Sequence, residues 1–395
     1  MFTIKLDMYQ ATALAVICLL LGRFLVSKFE VLRKYCIPAP VVGGLVFAIL
    51  HTIFRGANVF EFDMDMTLKN VFMTAFFCSV GFLASIKILK KAGIATVIFL
   101  ALATLMCVIQ NLFGIGVASI FGINKGIGIA AGSVPMVGGH GTAGAFGPFL
   151  EEMGVAGASA VAIASATFGL VAGCIVGGPI ATNYIRKMNL KPSAEAQDAG
   201  KTAEEDSTLS SNSVVDALIL VIIAIGLGTY VSAFIKNLGF TMPAYIGSMI
   251  VGAIIRNVSE AMGKKIHMPS INAVGDMGIN VFLALAMIDL KLWQLADLAL
   301  PMICILAGQT IIMIIYAHFV VFNVMGRNYD AAVMTAGFCG FGMGATPNGI
   351  ANMNAVTEKH GPSPAAYMVV PLVGALFIDF TNALVITTMA QMFVK

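Results

Sequence analysis

Runs of about twenty mostly apolar residues recur down this chain, and twenty is the length a helix needs to cross a hydrocarbon core. They fall near 10–28, 38–54, 71–88, 93–121 and 158–185, and again near 214–236, 242–258, 275–292, 298–325 and 364–394. In lipid no water satisfies stray backbone N–H and C=O groups, so a spanning segment is a helix or part of a closed barrel. Runs this long read as helices. Composition agrees: 59% of the 395 residues are hydrophobic and 11% charged, where a soluble domain carries about 25% charged residues. The expected fold is an all-α polytopic membrane protein. The first run contains Arg23 and lacks a small-residue cleavage site, so it reads as a retained helix rather than a signal peptide. The seven cysteines show no CxxC or Cys/His clustering, which points to inert thiols rather than a metal site or a disulfide framework.

Between the fourth and fifth run of each set lies a stretch too rich in Gly and Pro for an ordinary helix. The first is Gly132-Ser133-Val134-Pro135-Met136-Val137-Gly138-Gly139-His140-Gly141-Thr142-Ala143-Gly144, and the second is Gly337-Phe338-Cys339-Gly340-Phe341-Gly342-Met343-Gly344-Ala345-Thr346-Pro347-Asn348. Irregular backbone at membrane depth is tolerated only where protein buries it or water reaches it. Paired interruptions of this kind mark the binding site of many secondary transporters. Half-helix N-termini attract carboxylates, while exposed carbonyls and hydroxyls suit a hard cation such as Na⁺. The polar groups Ser133, His140, Thr142, Thr346, Asn348 and Asn352 stand around these breaks. Glycines at 126–128 and 169–178 read instead as close helix packing.

The halves resemble each other. Ile37-Pro38-Ala39-Pro40-Val41 answers Met242-Pro243-Ala244-Tyr245-Ile246, Gly122-Ile123-Asn124-Lys125 answers Gly326-Arg327-Asn328-Tyr329, and Thr142 falls opposite Thr346. Five spans per half is an odd number, so the second copy enters the membrane inverted. The expected organisation is a first repeat over 1–185 with a re-entrant hairpin near 126–150, a hydrophilic cytoplasmic linker over 186–213, and a second repeat over 214–395 with a hairpin near 330–356. Of the 23 Lys and Arg residues, setting Arg23 aside, fifteen fall on one side of this topology and seven on the other. The positive-inside rule then places both termini outside, with the hairpins dipping in from opposite faces.

Ionisable or amide groups inside spans are functional candidates by default. Asp379 lies in the middle of the last helix with no nearby Lys or Arg in sequence, as a cation ligand, a proton site or a structural carboxyl. Gln110, Asn111 and Gln309 suit interhelical hydrogen bonding equally well, His318 suits packing, and Asp289 with Lys291 reads as a solvated pair at the outer interface. Apart from Arg23, no Lys or Arg lies well inside a span. An anionic solute would therefore be held by helix N-termini, amides and hydroxyls, with a co-transported cation neutralising it. A channel would call for rings of charge, and an enzyme for a paired nucleophile and base or a metal cluster; neither pattern is present in the sequence.

These motifs resemble the bacterial sodium/glutamate symporter family along nearly the whole chain. The similarity runs through Leu21-Gly22-Arg23, Gly138-Gly139-His140-Gly141-Thr142, Ala166-Thr167-Phe168-Gly169-Leu170-Val171 and Asn328-Tyr329-Asp330-Ala331-Ala332-Val333. Most specific is Cys339-Gly340-Phe341-Gly342-Met343-Gly344-Ala345-Thr346-Pro347, followed by Ile350-Ala351-Asn352-Met353 and the last helix through Asp379 and Asn382. The chain departs from the family pattern at Val134-Pro135-Met136-Val137 and at Asn348-Gly349.

The resemblance implies Na⁺-coupled uptake of L-glutamate across the bacterial inner membrane, homodimers, and an elevator movement of inverted repeats; another di- or tricarboxylate, or a second acidic amino acid, is the alternative cargo. No enzyme activity, cofactor or nucleic-acid partner is expected. Substrate is expected at Gly139, His140, Gly141, Thr142, Gly344, Thr346, Asn348 and Asn352, and sodium at Ser133, Gly138, Gly342, Asp379 and Asn382. The first, second, sixth and seventh spans are expected to form a dimerising scaffold, and the other spans with both hairpins the moving domain.

Overall fold

A computed structural model of the chain describes residues 2–91, 93–192, 209–238, 243 and 245–394. The middle of the expected linker lies outside the described residues, as do Met242 and Ala244 beside Pro243. In chain order the helices are α1 (Met8–Lys28), α2 (Ala39–Gly56), α3 (Thr67–Leu83), α4 (Gly93–Ile120), α5 (Lys125–Ala130), α6 (Ser133–Met136), α7 (Gly139–Glu152) and α8 (Ala158–Lys187). They continue as α9 (Ser211–Asn237), α10 (Tyr245–Ala261), α11 (Met268–Ile288), α12 (Ala299–Val324), α13 (Tyr329–Met343), α14 (Thr346–His360) and α15 (Pro364–Phe393). Every expected span is helical, and among the described residues eight helices are long and apolar enough to cross a membrane. At 17 residues each, α3 and α10 are shorter.

One element was not expected. Strand β1 (Phe2–Leu6) pairs in parallel with β2 (Phe60–Met64), Phe2 opposite Phe60. The alternation Phe60-Glu61-Phe62-Asp63-Met64 is the period-2 signal of a strand, and the Phe62 N–H donates to His51 Nε2 at 3.2 Å.

The chain divides into two compact units, each drawn from both sequence halves. The first, Met1–Ile86 with Ser207–Asp297, contains α1–α3 and α9–α11; the second, Lys87–Asp206 with Leu298–Lys395, contains α4–α8 and α12–α15. This corrects the expected scaffold, because α3 and α11 join α1, α2, α9 and α10 rather than the hairpins. The reason is packing: Cys78 and Phe82 of α3 are buried in one cluster with Val221 of α9, Val251 of α10 and Ile271 of α11. Phe77 also stacks on Tyr245, ring centroids 4.1 Å apart.

Within the first unit, α1–α2 and α9–α10 are each closed by glycine. A Cβ on Gly43 would stand 1.7 Å from the Cys18 carbonyl oxygen, and one on Gly247 would stand 2.1 Å from that of Gly228. A side chain at either position has nowhere to go, and overpacking costs about 1–3 kcal/mol or more. Gly43→Leu should lower the melting temperature of purified protein by several degrees; an unchanged melting curve would contradict this packing.

Matching sequence pairs make matching local structure. Val41 N–H donates to the Pro38 carbonyl at 3.0 Å, and Ile246 N–H to the Pro243 carbonyl at 3.1 Å. Gly122 and Gly326 both have positive φ, +67° and +112°. Two residues later, Asn124 caps α5 and Asn328 caps α13, each side-chain oxygen accepting a backbone N–H at 2.9 and 2.8 Å. Asp289 does not form the expected pair with Lys291; its Oδ2 accepts from Lys69 Nζ at 2.9 Å. His318 packs as expected, stacked on Tyr184 with centroids 4.7 Å apart.

Candidate functional site

Both glycine-rich stretches lie in the second unit, where each breaks a helix in its middle. In the first, α5 ends at Ala130, α6 makes a single turn containing Pro135, and α7 starts at Gly139. In the second, α13 ends at Met343, Gly344 leaves the helix, Ala345 is extended, and α14 starts at Thr346 with Pro347 in its first turn, where a missing N–H costs nothing.

The two breaks meet. Gly139 has φ +59°, and a Cβ there would stand 3.1 Å from the Gly344 carbonyl oxygen and 4.0 Å from the Ala345 Cβ. Helices α7 and α14, of 14 and 15 residues, therefore begin side by side. The first-turn N–H groups of a helix have no partner inside it, and they carry the positive end of its dipole. Two such ends in contact form a place for negative charge without any Lys or Arg.

A second focus surrounds Ser133, at the start of α6. Its N–H donates to Asn111 Oδ1 of α4 at 2.8 Å, and its carbonyl accepts from Asn382 Nδ2 of α15 at 3.0 Å. Ser133, Asn111 and Asn382 are fully buried, yet Ser133 Oγ, Asn382 Oδ1 and Asn111 Nδ2 have no hydrogen-bond partner among the described residues. A buried polar atom without a partner costs about 1–3 kcal/mol, and three around one residue call for a guest. Two hard oxygens without partners are the donor chemistry of an alkali cation, whereas the Ser133 carbonyl beside them already accepts from Val137, Gly138 and Asn382. Asp379, one turn before Asn382, is half-buried and makes no hydrogen bond or ion pair among the described residues.

The second hairpin is tied to its neighbours by amides. Gln110 Nε2 donates to the Gly342 carbonyl at 2.8 Å, and Gln309 Nε2 to the Gln110 carbonyl at 2.8 Å. Asn348 Nδ2 donates to the Leu170 carbonyl at 3.0 Å and to Cys174 Sγ at 2.8 Å, leaving its Oδ1 without a partner among the described residues. Asn352 Nδ2 donates to the carbonyls of Gly173, at 2.8 Å, and Ala336, at 3.1 Å.

The expected residues therefore divide. Gly139 and Gly344 stand at the meeting point, with Gly141 and Thr142 buried in the first turns of α7. Thr142 packs on Gly138, and Thr346 is half-buried beside Gly374 in the π turn of α15. Of the residues expected at sodium, Ser133 and Asn382 come together, while the Gly342 carbonyl accepts from Gln110. His140 turns away to α8: the Thr167 hydroxyl donates to the Ile163 carbonyl at 3.1 Å, so its oxygen accepts from His140 Nε2 at 3.0 Å. Asn352 holds the stem of α14 against α8, two turns below the tip.

Comparison with known proteins gives the chain a family. The profile of the sodium/glutamate symporter family matches residues 4–362. The chain belongs to this family. It is 42% identical over 388 residues to the sodium/glutamate symporter of Escherichia coli K12, covering 96% of each protein, and 38% identical over 383 residues to that of Haemophilus influenzae, covering 95% of each. Among solved structures, the sodium proton antiporter MjNhaP1 of Methanocaldococcus jannaschii matches 97% of each chain at 13% identity and a TM-score of 0.43, a likeness too loose to carry an argument. With its apolar helices, this member of the symporter family is a multi-pass membrane transporter.

The sequence left Asn111 and Gln110 open between function and interhelical hydrogen bonding, and the structure shows such bonds at both. The signal was present: two adjacent amides in the middle of a 28-residue apolar helix. Both are spent on the hairpins.

Proposed function

We propose that this protein is a Na⁺-driven symporter of L-glutamate, working by alternating access in a bacterial inner membrane with both termini on the outer side. The observation that carries the reading is the contact of Gly139 with Gly344, which sets two helix N-termini against each other in a chain of this family. Glutamate carboxylates would be held by first-turn N–H groups of α7 and α14, supported by Thr142, Thr346 and the free oxygen of Asn348. Sodium would sit against Ser133 Oγ and Asn382 Oδ1, with Asp379 a turn away. Its charge offsets that of the carboxylates, which couples the two solutes in one step.

The two glycine-rich segments are then re-entrant hairpins of inverted repeats. The second unit, which holds both, is the moving body of an elevator, and the first unit is the dimerising scaffold. The charge count and the similar proline and asparagine motifs of the two halves support that assignment. Purified protein in liposomes should accumulate labelled L-glutamate when Na⁺ is high outside. Glutamate flux that ignores the Na⁺ gradient would overturn the coupling, and no flux would overturn the substrate.

A further inference from the structure

Within the second unit, a cavity of about 550 Å³ lies between the C-terminal half of α8 and α14. On α8 its wall is Cys174, Gly178, Thr182 and Arg186, and on α14 it includes Asn352 and Lys359. The spacing 174, 178, 182, 186 is one face of a helix, and that face is small or polar in an otherwise apolar span. Arg186 lies twelve positions beyond Cys174, so the wall is about 18 Å long at 1.5 Å per residue.

Its inner end reaches the second hairpin, because Cys174 Sγ accepts from Asn348 and Asn352 lines the floor. Its outer end carries Arg186 and Lys359, neither of which pairs with a carboxylate among the described residues. No acidic residue lines it. A cleft with walls of low dielectric and charge of one sign concentrates the opposite ion.

We propose that this cavity is a second, shallow carboxylate site, a vestibule in which Arg186 and Lys359 hold the anion between solution and the hairpin tips. The guanidinium is always charged and forks onto a carboxylate in bidentate fashion, and the ammonium adds a compact point charge. The vestibule is thus where fixed positive charge acts in a chain whose inner site has none. The proposal rests on the symport reading only for the identity of the carboxylate.

Cys174 reports on it directly. Purified protein with its native cysteines is treated with an anionic methanethiosulfonate (sulfonatoethyl) or a cationic one (trimethylammonioethyl). Modification of Cys174 is followed by peptide mass spectrometry, and rates are normalised to those with a free thiol. The anionic reagent should react about tenfold faster, the low end of what focusing achieves. Arg186→Gln with Lys359→Gln should bring the ratio to about one, while Arg186→Lys with Lys359→Arg should preserve it. Equal rates in the unmodified protein, a ratio indifferent to neutralisation, or a Cys174 unreactive to both reagents would each overturn the vestibule. None of these readouts requires glutamate transport, so failure of the uptake experiment leaves this result standing, and the reverse holds too.

Discussion

Asn382→Leu should abolish Na⁺-dependent glutamate uptake, by a hundredfold or more, in protein that still purifies as a folded species. Leucine keeps the branched outline of asparagine, with the same number of side-chain heavy atoms, and removes both of its polar atoms. The Ser133 carbonyl then loses the donor that reaches it at 3.0 Å, and the buried oxygen aimed at the same place, now without a partner among the described residues, disappears. Losing one of three donors costs the Ser133 carbonyl little, because the Val137 and Gly138 N–H groups still reach it at 3.2 and 3.3 Å, and losing the proposed cation ligand is the larger effect. Heat denaturation separates the two effects. A bound ion at a hundred times its dissociation constant stabilises the folded state by about 2.7 kcal/mol. The unmodified protein should therefore melt higher in NaCl than in choline chloride, and Asn382→Leu should lose that difference. A variant that keeps both the Na⁺-dependent shift and wild-type uptake would remove sodium from this position.

Asp379 gives this test a second arm. It stands one turn from Asn382 and has no partner among the described residues, so the sodium assignment rests on both. Asp379→Asn keeps the shape and removes the charge. If Asp379 helps to hold the ion, the Na⁺ concentration for half-maximal uptake should rise by about tenfold, a change of about 1.4 kcal/mol. If the ion sits on Ser133 and Asn382 alone, that concentration should stay where it was.

The spans and both helix breaks were legible because lipid leaves the backbone few choices. A twenty-residue apolar run has one reading, and a Gly/Pro-rich stretch between two such runs has very few. Partner choice was less legible. Asn111, Gln110 and Gln309 looked alike in sequence, yet Asn111 and Gln110 bond to the two hairpins, and Gln309 bonds to the backbone of Gln110. Nothing in local sequence says which helix an amide will face. The grouping of α3 and α11 with α1, α2, α9 and α10 was missed for a related reason: it depends on how Phe82, Val251 and Ile271 interlock, and apolar positions facing lipid and facing protein read the same. The strand over Phe60–Met64 carried a period-2 signal that five residues beside a membrane span made easy to pass over.

Gly139→Val should eliminate glutamate binding with little effect on the rest of the fold. Gly139 has φ +59°, and a β-branched residue in that region is a conformational outlier, costing about 1–3 kcal/mol. The valine Cβ would also stand 3.1 Å from the Gly344 carbonyl oxygen, with its two methyl groups still to be placed. The readiest relief is for the two hairpin tips to part, which separates the N–H groups of α7 from those of α14. Effective carboxylate capture needs both ends at once, so affinity should fall by a hundredfold or more while maximal uptake falls with it. Gly116→Ala serves as the control. A Cβ at Gly116 meets nothing within 4 Å, and alanine in a helix interior gains about 0.5–1 kcal/mol over glycine, so that variant should transport normally and melt slightly higher. The informative comparison is with Na⁺ alone. The proposed ion position at Ser133 lies before the first residue of α7, and Gly139→Val should therefore keep the Na⁺-dependent rise in melting temperature after losing the glutamate-dependent one. Loss of both together would mean that ion and substrate share a single cavity, and retention of glutamate binding would mean that the contact of the tips is not the site.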